Sequence, residues 1–256
     1  MNSHSKNKKQ KKILIAALII AMLLTIIESA YPAALPEGPS TLTVVNSTKR
    51  TPQTASNVSA VAGNVSQLNI IGSTITQTWQ GYYGNISGTI VLTDSANYAL
   101  YDWDVAFPEG EIYASDSTID FTGSIACYNY TKAGGGYLDL ATYESSLGLV
   151  SDDPDGINET FPVGSANPFY VGTNLINSTC PKTNLYNSSG VQNSAQFEEF
   201  ILYDLTANKI IYTALLEETG IRGFDNRTWN FQMIVAENGR NGDNNPTTYY
   251  FYVELE

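Results

Sequence analysis

Apolar residues recur at every second position along much of this chain. In 101–105 the apolar Tyr101, Trp103 and Val105 alternate with Asp102 and Asp104. That period turns one strand face to a core and the other to water. It recurs in 228–236 through Trp229, Phe231, Met233 and Val235, and in 247–256 through Tyr249, Phe251, Val253 and Leu255. Residues 197–205 and 209–215 flank Thr206-Ala-Asn208 and predict a hairpin. Shorter strands are predicted over 66–70, 74–79, 88–92, 100–106 and 111–114, the first two as a hairpin about Gly72-Ser73. The stretch 78–105 is dense in aromatic and β-branched residues and is punctuated by Gly81, Gly84 and Gly88, which predicts the centre of a sheet. Short strands at this spacing predict an all-β fold, an antiparallel β-sandwich.

The pattern breaks in three places. Residues 1–12 are polar and basic, and Ile13 to Ile27 is apolar except for Thr25. A helix of that run, rising about 1.5 Å per residue, is shorter than the roughly 30 Å hydrocarbon core. Residues 1–34 are therefore expected to be a signal peptide, with an N-terminal membrane anchor as the alternative. Either places the rest outside the cell, because the lysines stay in the cytoplasm. Residues 35–64 mix Pro, Ser, Thr and small residues and predict a stalk or linker. Within the β domain of 65–256, residues 127–180 form a loop-rich insertion, and a Cys127–Cys180 bridge is expected to close it.

Composition narrows the function. From Tyr31 onward there are 24 acidic and 8 basic residues, a net charge of −16. So negative a surface repels nucleic acid and anionic lipid, leaving the N-terminal segment as the membrane contact. The lone histidine, His4, lies in the leader, so Ser-His-Asp and Cys-His catalysis and His-based zinc sites are unavailable to the exported part. Asn-x-Ser/Thr occurs at Asn46, Asn57, Asn64, Asn85, Asn129, Asn158, Asn177, Asn187 and Asn226, nine sites. Chance alone gives about four, and N-glycosylation of several is expected.

Three other patterns carry candidate chemistry. Asp152, Asp153 and Asp155 offer the hard oxygen ligands of calcium, though their spacing fails the EF-hand pattern and a solvated turn is the plainer reading. Asn241, Asp243 and Asn244 stand in the same position. Trp79, Tyr82 and Tyr83 sit beside glycines and could stack on sugar rings, whereas aromatics in strands more often pair across the sheet. Asp102 and Asp104 share a strand face about 6.8 Å apart, within the carboxylate spacing of an inverting glycosidase, as any half-wet strand would place them.

Trp79-Gln-Gly-Tyr-Tyr-Gly-Asn-Ile-Ser-Gly88, Leu100-Tyr-Asp-Trp103, Trp229-Asn-Phe-Gln-Met-Ile-Val235 and Thr248-Tyr-Tyr-Phe-Tyr-Val-Glu-Leu255 together resemble a group of archaeal secreted and cell-surface proteins. The likeness covers most of the chain after Val65. It implies an archaeal envelope setting and nothing catalytic. The expectation is an exported, N-glycosylated, non-catalytic envelope protein without a cofactor. It would be an assembly subunit or adhesion module, associating with itself or with other envelope proteins. A glycan-binding module is the first alternative and a carboxylate-dependent glycosidase the second. The final strand, with Tyr250 and Tyr252 expected on its exposed face, is the predicted self-association edge.

Overall fold

Two strands with no polar face form the middle of the molecule. β10 (Glu198–Asp204) is buried at every residue, and β11 (Lys209–Leu215) at all but its ends. Such runs belong to a sheet covered on both sides. They pair antiparallel with Phe200 opposite Thr213. Asp204 shapes the turn, its carboxylate accepting the amides of Thr206 and Ala207, and Asn208 closes it in the left-handed region at φ 57°. The computed structural model describes residues 35–105, 108–165, 167–176, 179–185, 196–242 and 245–255.

β4 (Gly110–Ser115) lies along β11, and β15 (Tyr250–Leu255) along β4. On the far edge of β10, β9 (Thr179–Asn184) and β5 (Ile125–Cys127) lie in file, and β6 (Val163–Ser165) borders β9. The described strands of this sheet run β15-β4-β11-β10-β9-β6, with β5 beside β10, and every pairing is antiparallel. One face, through Ile201, Tyr203, Tyr212 and Ala214, packs with Met233 and Val235 of β14 (Phe231–Ala236). β14 forms a ribbon with β1 (Trp79–Gly84). The other face, through Tyr113, Phe200, Leu202 and Ile211, is covered by Phe121 and by Phe169, Val171 and Ile176. Those last three come from the hairpin of β7 (Phe169–Val171) and β8 (Asn174–Ile176).

Among the described residues α-helix is scarce: α1 (Leu140–Ser146), capped by Asp139 through the Thr142 amide, and the single turn α2 (Ile157–Thr160). Both lie between Cys127 and Cys180, so that insertion holds more regular structure than its glycines and Asp-rich turn suggest. The bridge is formed. The all-β, antiparallel expectation holds. No described helix is long and apolar enough to cross a membrane, and the leader lies outside the described residues.

Three local expectations are corrected. The hairpin over 66–79 does not form, and the first strand starts at Trp79. Leu68, Ile70 and Ile71 are exposed, so no core repays the ordering of those residues. The stretch 78–105 is not the centre of the sheet, since β1 pairs only with β14 among the described strands. β2 (Gly88–Thr93) and β3 (Ala99–Val105) form a separate two-stranded ribbon, described below. On the terminal strand Tyr250 is exposed as expected, but Tyr252 is half-buried and Glu254 is buried. Tyr252 packs on Phe121, its hydroxyl accepting the Ile119 amide, and Glu254 is 2 % exposed. Glu254 accepts hydrogen bonds from the Tyr113 hydroxyl at 2.7 Å and the Gly172 amide at 2.9 Å. From Phe251 to Glu254 both faces of β15 meet a core, so alternation there separates two interiors rather than inside from outside.

Candidate functional site

Tyrosines fill the space beneath α1. The Tyr143 and Tyr212 hydroxyls share a 2.7 Å hydrogen bond, and the Tyr249 hydroxyl donates to the Ala236 carbonyl at 2.6 Å. Burial pushes all three phenols up, so they stay protonated donors at neutral pH. These rings help line a cleft of about 380 Å³, with the Lys209–Asp116 ion pair at its rim. Its phenols bond to each other and to backbone, which makes it a polar gap in the packing and not an array aimed at a ligand.

The Asp-rich turn has a different use. Asp153 and Asp155 both receive the Arg240 guanidinium, the first at 2.8 Å. Asp155 also accepts the Thr76 hydroxyl, and its backbone carbonyl accepts the Trp79 indole N–H at 2.9 Å. These donors hold the Asp155 carboxyl below its ordinary range against the opposing effect of desolvation. Arg240 thus occupies the carboxylates proposed for calcium. Asp152 is exposed, in the left-handed region at φ 76°. Among the described residues no three His, Cys, Asp or Glu side chains converge as a metal site. Asp243 and Asn244 lie outside the described residues, as does the Asn241 side chain. Arg240→Ala is expected to lower stability by about 1–2 kcal/mol, since it leaves two half-buried carboxylates without their counter-ion. Thermal unfolding measures this, and an unchanged melting temperature would show the cluster to be ornamental.

Trp79, Tyr82 and Tyr83 do not form one platform. Trp79 packs on Phe161 and Tyr212, and Tyr82 meets Phe251 edge-on with centroids 5.2 Å apart. Only Tyr83 turns outward, against Phe224 and Trp229. The described sequon residues Asn46, Asn57, Asn64, Asn85, Asn129, Asn158 and Asn226 are all exposed. Asn177 and Asn187 lie outside the described residues.

The most unusual surface is the β2–β3 ribbon. Its register sets Ile90 opposite Trp103 and Leu92 opposite Tyr101, so four apolar side chains share one face. Each is 50–57 % exposed, and the Tyr101 and Trp103 rings touch at 4.7 Å. The other face carries Thr89, Val91, Asp102 and Asp104. Both strands have a free edge, since neither pairs with any other described strand. A lone two-stranded ribbon is marginal in water, and an uncovered apolar face marks a contact site. Asp102 and Asp104 are exposed on this two-stranded ribbon.

A second uncovered element precedes β1. Residues 38–77 form an exposed arm tied at both ends, by the Glu37–Val253 backbone bridge and by Trp79 in β1. In it Thr41-Leu-Thr-Val-Val45 alternates like a strand, with Leu42 and Val44 63 % and 76 % exposed. Lys49 and Arg50 follow, and no acidic residue occurs between Glu37 and Asp94. The ribbon has the opposite balance, with Asp94, Asp102 and Asp104 and no basic residue between Arg50 and Lys132. Comparison with protein-family models, curated proteins and solved structures finds no match.

Proposed function

We propose that this is an exported, N-glycosylated, non-catalytic envelope protein that assembles with copies of itself. The uncovered apolar face of the β2–β3 ribbon carries the reading. The occupant is the arm of a second copy: Thr41–Val45 adds a strand to a free ribbon edge, and Lys49 and Arg50 meet Asp102 and Asp104. Strand addition supplies main-chain hydrogen bonds, while alternate side chains give specificity. The four ribbon side chains leave on the order of 400 Å² of apolar surface in water, about half of one side of a standard interface, and the arm supplies the rest. The resemblance to archaeal cell-surface proteins, the basic and apolar leader and the sequons support an archaeal envelope setting. The β1–β14 ribbon over the main sheet is read as the reduced second layer of a sandwich.

The test compares the full exported chain with Ile90→Lys/Trp103→Lys and with Leu42→Lys/Val44→Lys by light scattering and electron microscopy. Wild type is expected to form concentration-dependent oligomers that both variants lose while keeping the wild-type melting temperature. Wild type that stays monomeric at high concentration and in native envelopes overturns the reading. Assembly lost only in the ribbon variant would mean that the partner is another surface and not the arm.

A further inference from the structure

Two described sequons meet at one aromatic cluster. Asn85 and Asn226 each follow an aromatic residue by two positions, in Tyr83-Gly-Asn85 and Phe224-Asp-Asn226. These two aromatics, 141 residues apart in sequence, touch edge to face with centroids 4.8 Å apart, and Tyr83 also meets Trp229 at 5.0 Å. Phe224 is 54 % exposed and Tyr83 39 %, so their carbons face water beside two exposed amides.

The backbone holds this arrangement. Asn85 directly follows β1, and in extended chain residues two apart point the same way. Asn226 sits on the tight turn between β12 (Ile221–Arg222) and β13 (Thr228–Trp229), in the left-handed region at φ 66°. There the Asn226 amide donates to the Gly223 carbonyl and the Gly223 amide to the Arg227 carbonyl. Asn230 ties the segments together: its amide donates to the Gly84 carbonyl, and its side-chain oxygen accepts the Ile86 amide. The Trp229 indole is fixed by the Asp225 carboxylate at 2.8 Å.

We propose that Asn85 and Asn226 are the glycosylation sites this fold is shaped for, and that the first pyranose of each glycan rests on the Tyr83–Phe224–Trp229 cluster. The apolar C–H face of a pyranose suits an aromatic ring, and covering these rings removes exposed hydrocarbon from water. The donor is a lipid-linked glycosyl pyrophosphate. A bond forms between the asparagine Nδ2 and the anomeric carbon, the bond from that carbon to the pyrophosphate oxygen breaks, and the lipid pyrophosphate leaves with the electron pair. The amide gives up one proton to the transferring enzyme. The sugar then acts as a covalent side chain completing a small external core. This requires export but not self-assembly, so it stands or falls separately from the β2–β3 contact.

The test secretes the full chain from a glycosylating host and reads site occupancy by peptide mass and stability by calorimetry. Thr228→Val removes the Asn226 acceptor signal without changing the asparagine or its turn, and Ser87→Ala does so for Asn85. Each is expected to lower the melting temperature by about 2–4 °C in the wild-type background and to have no effect in Tyr83→Ser/Phe224→Ser. Thr160→Val, which removes the Asn158 sugar, serves as the comparison and should cost nothing. Absence of sugar from both Asn85 and Asn226 overturns the proposal. So does an equal loss of stability with and without the two rings.

Discussion

Reducing the Cys127–Cys180 bridge is expected to lower the melting temperature by about 10 °C. The cysteines are 53 residues apart, and closing a loop of that length contributes on the order of 4 kcal/mol through the entropy of the unfolded chain. In a domain of this size each kcal/mol is worth about 2–4 °C. The position of the bridge adds to its effect. β5 and β9 meet the same edge of β10, Cys127 opposite Leu202 and Lys182 opposite Phe200. One covalent link therefore keeps two short strands in line on the central strand. Cys180 is fully buried among the residues of the second core face. Calorimetry of Cys127→Ala/Cys180→Ala, or of wild type with and without reductant, measures the effect. Two cysteines that alkylate in the native, unreduced protein would show that the bridge does not form in the cell.

The second large effect depends on pH. Glu199 is fully buried between the sheet and the β1–β14 ribbon. One carboxyl oxygen accepts the Ile234 amide at 2.9 Å, and the other has no hydrogen-bond partner among the described residues. Desolvation raises its pKa well above the ordinary glutamate value, only partly offset by the Ile234 bond. A raised acid holds its proton longer in the folded than in the unfolded chain. Its stabilising contribution is therefore complete below about pH 4, where the unfolded glutamate titrates, and is lost as pH rises through the folded-state pKa. Glu199→Gln keeps an acceptor for Ile234 and removes the titration. Variant and wild type should melt together at pH 4, and at pH 8 the variant should be more stable by on the order of 1–3 kcal/mol. Parallel pH profiles would mean that water or a rearrangement solvates the carboxylate.

Much of the interior was legible. The β10–β11 hairpin could be read because Thr206-Ala-Asn208 separates two apolar runs. The buried face of β14 followed from Met233 and Val235 at period two. What misled was that alternation reports a half-wet strand without saying what lies on its dry side. In β3 the dry side, with Tyr101 and Trp103, is covered by nothing in the described chain. In β15 the supposed wet side leaves Tyr250 in water but sets Tyr252 and Glu254 against a second core. Arg240 lies 85 residues from Asp155, and sequence spacing could not show that it occupies the acidic turn. The Tyr83–Phe224 cluster depends on β1 pairing with β14, about 150 residues away. Its one local trace, an aromatic two places before a sequon, was present twice.

The closing of β15 onto β4 also governs when this protein can fold. Gly110 pairs with Leu255, and β1 pairs with β14 near the other end of the domain. β10 and β11 find all their neighbours within residues 110–215, whereas β4 gains its outer neighbour only when β15 pairs with it. Contacts of such sequence separation form slowly, because the connecting chain must be ordered before they stabilise anything. The β10–β11 hairpin is therefore expected to form early, and β15 and the β1–β14 ribbon to close late.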